Sequence, residues 1–146
     1  MLISSESVNT LAEKISSSNE VFCSGLFLSA RWFVVSQLDH DGIQLVVLPD
    51  KESAEYCAAD LYHLIEGDRV YFLPDSGKNL ERSNYKSSLG VQRTSAIGKI
   101  LEYREGEQMI VVTYPSALEE IIPEKGKISG SLLKLVVGEE RSYEEI

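Results

Sequence analysis

No apolar stretch in this sequence approaches the ~20 residues that a helix needs to cross a bilayer; the longest runs, at 44–49 and 109–114, fall far short of it. The N-terminus, Met1-Leu2-Ile3-Ser4-Ser5-Glu6, lacks the basic start and long apolar core of a secretory leader. Both absences lead to the expectation of a cytoplasmic chain with no membrane partner. Cysteine is scarce too. Cys23 and Cys57 stand far apart, with His40 and His63 as the only other soft ligands, so neither a disulfide framework nor a zinc ribbon is expected, and no metal. Basic residues are in deficit, 14 against 23 acidic for a net charge of -9. That balance disfavours a free-standing nucleic-acid binder, whose affinity comes mainly from neutralising phosphates.

What remains is an ordinary globular composition, 43% hydrophobic and 25% charged over 146 residues, enough for one good core. Val8, Leu11 and Ile15 recur at helical spacing and predict a short amphipathic helix over about 7–17. Val21-Phe22-Cys23-Ser24 reads as a first strand ending in Gly25, and the segment from Ser29 through Trp32 and Phe33 as a helix. The order then repeats. Residues 44–49 read as a strand buried on both faces, and Asp50 is placed to cap a helix whose Ala54, Ala58, Leu61 and Ile65 share one side. A third strand follows at 69–73, and 74–89 reads as a polar surface loop. Helical spacing resumes at Val91, Thr94 and Ile97; a fourth strand follows at 109–113, with Pro115 suited to open a helix. Apolar strands alternating with helices define an α/β class: a mostly parallel sheet with helices on both faces. After Pro123 the composition shifts, Glu124 through Gly130 reading as a linker, and 131–137 (Ser-Leu-Leu-Lys-Leu-Val-Val) reads as the first strand of a following module. The expected division is therefore 1–123, 124–130 and 131–146.

In such sheets a phosphate sits at the first strand-to-helix turn. Laid on the phosphate-loop pattern GxxxxGK[ST], Gly25 matches the first glycine, but Ala30, Arg31 and Trp32 replace the second glycine, the lysine and the magnesium-binding hydroxyl. Indole cannot ligate magnesium, and a Cβ at position 30 crowds the backbone approach. This predicts a degraded loop with no nucleotide cofactor. The Gly77-Lys78 pair lacks the preceding spacing, no apolar strand ends in the Asp-Glu pair of a hydrolase, and neither histidine has a nucleophile partner evident in sequence. No catalytic residue is expected. Six basic residues against three acidic ones fall between Asp75 and Arg104. Lys78, Arg82, Lys86 and Arg93 are the candidates there for weak nucleic-acid or partner contacts, set against a plainly solvated surface.

The order Gly25-Leu26, Ser29-Ala30 and Phe33-Val34, then Leu48-Pro49-Asp50-Lys51-Glu52-Ser53-Ala54, Tyr71-Phe72-Leu73-Pro74 and Val112-Thr113-Tyr114-Pro115-Ser116-Ala117-Leu118, resembles the first domain of bacterial transcription-repair coupling factors. That domain is similar in turn to the first domain of the excinuclease B protein. The resemblance covers about 21–123 and implies a degenerate RecA-like domain of a much longer DNA-repair protein, an ATP-dependent DNA translocase whose motor lies elsewhere. It implies a non-catalytic scaffold role linking stalled RNA polymerase to nucleotide excision repair. The implied partners are other domains of the same chain, the excinuclease A protein through the module beginning at 131, and RNA polymerase and DNA through parts outside this sequence. The excinuclease B protein carries an aromatic-rich hairpin after the third strand; here 74–89 is short and holds one aromatic, Tyr85. A small nucleic-acid-binding domain of a helicase-like protein and a free-standing nucleotide-binding domain remain as alternatives.

Overall fold

The computed structural model describes residues 5–38, 42–77 and 84–122. His40, Lys78, Arg82, the linker at 124–130 and the apolar run at 132–137 lie outside the described residues, as does the side chain of Lys86. The elements run α1 (Ser5–Ser17), α2 (Ala30–Gln37), β1 (Gly42–Val47), α3 (Lys51–Leu64), β2 (Val70–Phe72), α4 (Asn84–Glu102), β3 (Gln108–Thr113) and α5 (Pro115–Leu118). The three strands make one open, wholly parallel sheet in the order β1-β3-β2.

Local chemistry sets where α3 begins. Asp50 is extended, and its carboxylate accepts the Ser53 N–H at 2.8 Å, satisfying one of the orphan donors of the first turn. Behind this cap, Ala54, Cys57, Ala58 and Leu61 recur on one side of the helix and are buried. With Trp32 of α2 they pack on a sheet face made by Val70, Ile110 and Val112, flanked by Val46 and Phe72. On the other face, α4 sets Ala96, Ile97 and Ile100 against Tyr71, Met109 and Val111. The central strand is thereby enclosed, with every residue after Gln108 buried, as parallel strands require. Pro115 opens α5, where its missing N–H costs nothing.

Three expectations are corrected. Residues 21–24 form no strand: Phe22 is 90% exposed, and the described sheet has no strand there. Strand formation needs a neighbour to take the backbone hydrogen bonds, and a four-residue apolar run does not supply one. β1 is not buried on both faces; Ile43, Leu45 and Val47 are exposed, alternating with partly covered neighbours. It lies at the sheet edge, and α4 packs over β2 and β3 instead. Finally, 74–77 is no polar surface loop. Pro74 and Gly77 are buried, and α4 starts at Asn84, earlier than the apolar spacing from Val91 suggests.

Candidate functional site

The first turn comes together as follows. Gly25 adopts φ +81°, a conformation suited to glycine, and Leu28, at φ +51°, occupies the same left-handed half of the map with its side chain exposed. The chain then closes on itself. Ala30 N–H donates to the Phe27 carbonyl at 3.1 Å and Arg31 N–H to the Leu28 carbonyl at 3.5 Å, while Trp32 and Phe33 N–H both donate to the Ser29 carbonyl at 3.0 Å. A phosphate loop works by leaving such amides free and converging; here four successive amides are already bonded to the chain's own carbonyls.

Charge at the same place points the same way. Ser29 precedes α2 without capping it, and its hydroxyl donates to Asp60 Oδ2 of α3 at 2.6 Å. A carboxylate therefore stands beside the N-terminus of α2, where the helix dipole favours an anion and where it would repel phosphate. Arg31 does not fill the lysine's role. Its guanidinium lies 4.6 Å from the centre of the Trp32 ring, and its Nε donates to the Leu28 carbonyl at 3.4 Å. Trp32 itself is in the core with Leu48 and Ala54. An open cleft of about 580 Å³ does adjoin this turn, lined by Leu11, Ile15, Cys23, Gly25, Arg31 and Val34 among others; its walls are mainly apolar, with one cation.

A second set of polar groups gathers at the C-terminal end of the sheet, where open α/β folds usually bind ligands. Arg93, a candidate surface cation by sequence, is buried. Its Nη1 donates to the carbonyls of Pro74 (2.7 Å) and Ala117 (3.1 Å), Nη2 donates to that of Glu120 (3.3 Å), and Nε pairs with the Glu120 carboxylate at 3.2 Å. Glu120 also accepts from the Ser76 N–H and hydroxyl. The Tyr114 hydroxyl accepts from Asp75 N–H and donates to Asp75 Oδ2, both at 3.0 Å; burial, aided by the Asp75 carboxylate and opposed by the Asp75 N–H, raises its pKa to about 12. Thr113 Oγ1 donates to the Leu73 carbonyl at 2.9 Å.

These groups face one another. They lock 73–77 onto α4 and α5, and no buried side-chain polar atom among the described residues is left without a partner. Arg93 is withdrawn from the set of surface cations for that reason, since its donors are spent on three carbonyls drawn from two segments. Asp60, Ser29, Glu120 and Asp75 had no signal in the sequence, because their partners lie too far along the chain for any local pattern to show. His63 is exposed on α3, and no group of three or more potential metal ligands occurs among the described residues. No described helix is long and apolar enough to cross a membrane.

Fold and turn together define a small open parallel α/β domain whose first-turn amides are turned inward. Comparison with family models, curated proteins and solved structures finds no match for the chain.

Proposed function

We propose that this chain is a non-catalytic scaffold for protein contacts, and specifically that it forms the degenerate RecA-like first domain of a transcription-repair coupling factor. The observation that carries the non-catalytic part is the amide arrangement at 30–33, each N–H paired to the chain's own carbonyl, with Asp60 beside it. A nucleotide would have to break those bonds and approach a carboxylate. The coupling role itself rests on the strand-end phrases of the sequence. In this reading the run at 131–137 leads into the module that meets the excinuclease A protein, and contacts with RNA polymerase and DNA belong to other parts of the parent protein.

Titration calorimetry of the chain with ATP and magnesium tests the proposal. The expected result is no saturable heat. A micromolar site that disappears in Arg31→Ala would overturn it in favour of a free-standing nucleotide-binding domain.

A further inference from the structure

The cleft beside the first turn, about 580 Å³, is of the size that small-molecule sites commonly have. Leu11 and Ile15 line it from α1, Val34 and Val35 from α2, and Val21 and Leu26 from the segment that joins the two helices. Ile15 is 45% exposed, so part of the apolar side of α1 meets water here. Among the described residues that line the cleft, Arg31 alone carries charge, although acidic residues outnumber basic ones 23 to 14 in the chain. Its guanidinium is held in place by the ring of Trp32, a core residue, and by the Nε bond to the Leu28 carbonyl. Among the described residues no carboxylate forms an ion pair with it. Its terminal nitrogens therefore keep N–H donors for an incoming acceptor.

We infer that this cleft binds a small monocarboxylate with an apolar body, its carboxylate on the Arg31 guanidinium and its body between α1 and α2. Charge sets the headgroup. A guanidinium pairs with a carboxylate through parallel N–H donors, and one guanidinium neutralises one charge. Asp60, bound to Ser29 beside the start of α2, opposes any further negative charge, which separates this ligand from a nucleotide polyphosphate. The walls set the body. Apolar side chains from two helices favour a chain or ring that displaces water from them, whereas a bare anion would leave them wet. Such a ligand touches α1 and α2 together. At 13 residues, α1 is of a length that is marginal alone in water, so occupancy fastens it to the domain. The inference depends on the cleft alone and stands whether or not the chain has the coupling role.

The test uses the full 146-residue chain, with decanoate as the probe, decanol as its uncharged counterpart and inorganic phosphate as a bare anion. Trp32, the one tryptophan, lies against the guanidinium, and its emission reports binding. Decanoate should saturate the protein below ~1 mM. Decanol should bind about tenfold more weakly, the worth of one charge-assisted hydrogen bond, and phosphate should not saturate. Arg31→Gln should bring decanoate level with decanol, and Arg31→Lys should keep most of the difference. Phe22→Ala, at an exposed residue that does not line the cleft, should change nothing. Decanoate at about ten times its dissociation constant should also slow alkylation of Cys23, which lines the cleft, about tenfold, with buried Cys57 still unlabelled. The inference is overturned by absence of saturation with decanoate, by equal affinity for decanol, or by saturation with phosphate. It is equally overturned by binding unaltered in Arg31→Gln, by binding lost in Phe22→Ala, or by labelling of Cys57, which would mean that decanoate unfolds the chain.

Discussion

The sheet has two edges, and the chain treats them differently. At the β2 edge the strand is three residues long. The outward Phe72 N–H faces the hydroxyl of Tyr62 from α3, an interaction that partly offsets the rise in the Tyr62 pKa caused by burial. Beyond the strand, Arg93, Glu120 and Tyr114 tie its continuation to two helices. At the β1 edge the strand is twice as long, and among the described residues α4 packs over β2 and β3 rather than over β1. One edge is finished by side chains of the folded domain, and the other carries an exposed apolar row of Ile43, Leu45 and Val47. Short, capped edges resist pairing with another strand and long uncapped ones do not, so the two edges differ in how closely the domain's own side chains guard them.

The largest expected effect concerns the finished edge. Arg93→Ala removes the Arg93–Glu120 ion pair and the hydrogen bonds that Arg93 donates to three carbonyls. Breaking a buried pair on one side costs about 3–5 kcal/mol, and urea unfolding should show a loss in that range. A loss below about 1 kcal/mol, the usual ceiling for an exposed pair, would mean that the latch is solvated and the two edges are more alike than they look.

Alkaline pH gives the next effect. Burial pushes the Cys57 thiol from its ordinary 9.0 up to about 12, and Tyr114 rises from 10.0 to about 12. Both groups release their protons earlier when unfolded, so their contribution to stability is complete below pH 9 and is lost as pH climbs from there through 12. Stability measured across that window should fall, and Tyr114→Phe should make the fall shallower. An unchanged slope in Tyr114→Phe would show that its hydroxyl titrates as freely as in the unfolded chain.

The smallest effect belongs to the β1 edge. Leu45 is 53% exposed, so Leu45→Lys should cost less than about 1 kcal/mol in urea unfolding. A cost above about 2 kcal/mol, the range of a fully buried leucine, would show that this row is buried rather than exposed.

Legibility in the sequence follows the range of the physics. The Asp50 cap, the buried side of α3 and Pro115 at the start of α5 were readable because each depends on residues within a turn of one another. The parallel α/β class was readable from alternating apolar runs. Strand rank was not. Gln44 to Val47 looks like a central strand, yet it lies at an edge, because which strand sits in the middle is decided by pairing between segments distant in sequence. Val21-Phe22-Cys23-Ser24 looked like a strand for the same local reasons and has no partner among the described residues. At the first turn, the substitutions at Ala30, Arg31 and Trp32 were plain in sequence, but the approach of Asp60 to Ser29 was not. Arg93 was misplaced on the surface because a long cationic side chain in a polar stretch reads as solvated, and only the fold brings three carbonyls around it.

The two cysteines have a practical consequence. Cys23 is exposed, whereas Cys57 is sealed under α3 with its thiol held neutral. Only thiolate reacts with alkylating reagents, so the folded protein offers one addressable sulfur, at Cys23. Modification of Cys57 must wait for α3 to lift from the sheet. Its labelling rate, read residue by residue in a mass spectrometer, would time how often the domain opens without denaturant or an introduced probe.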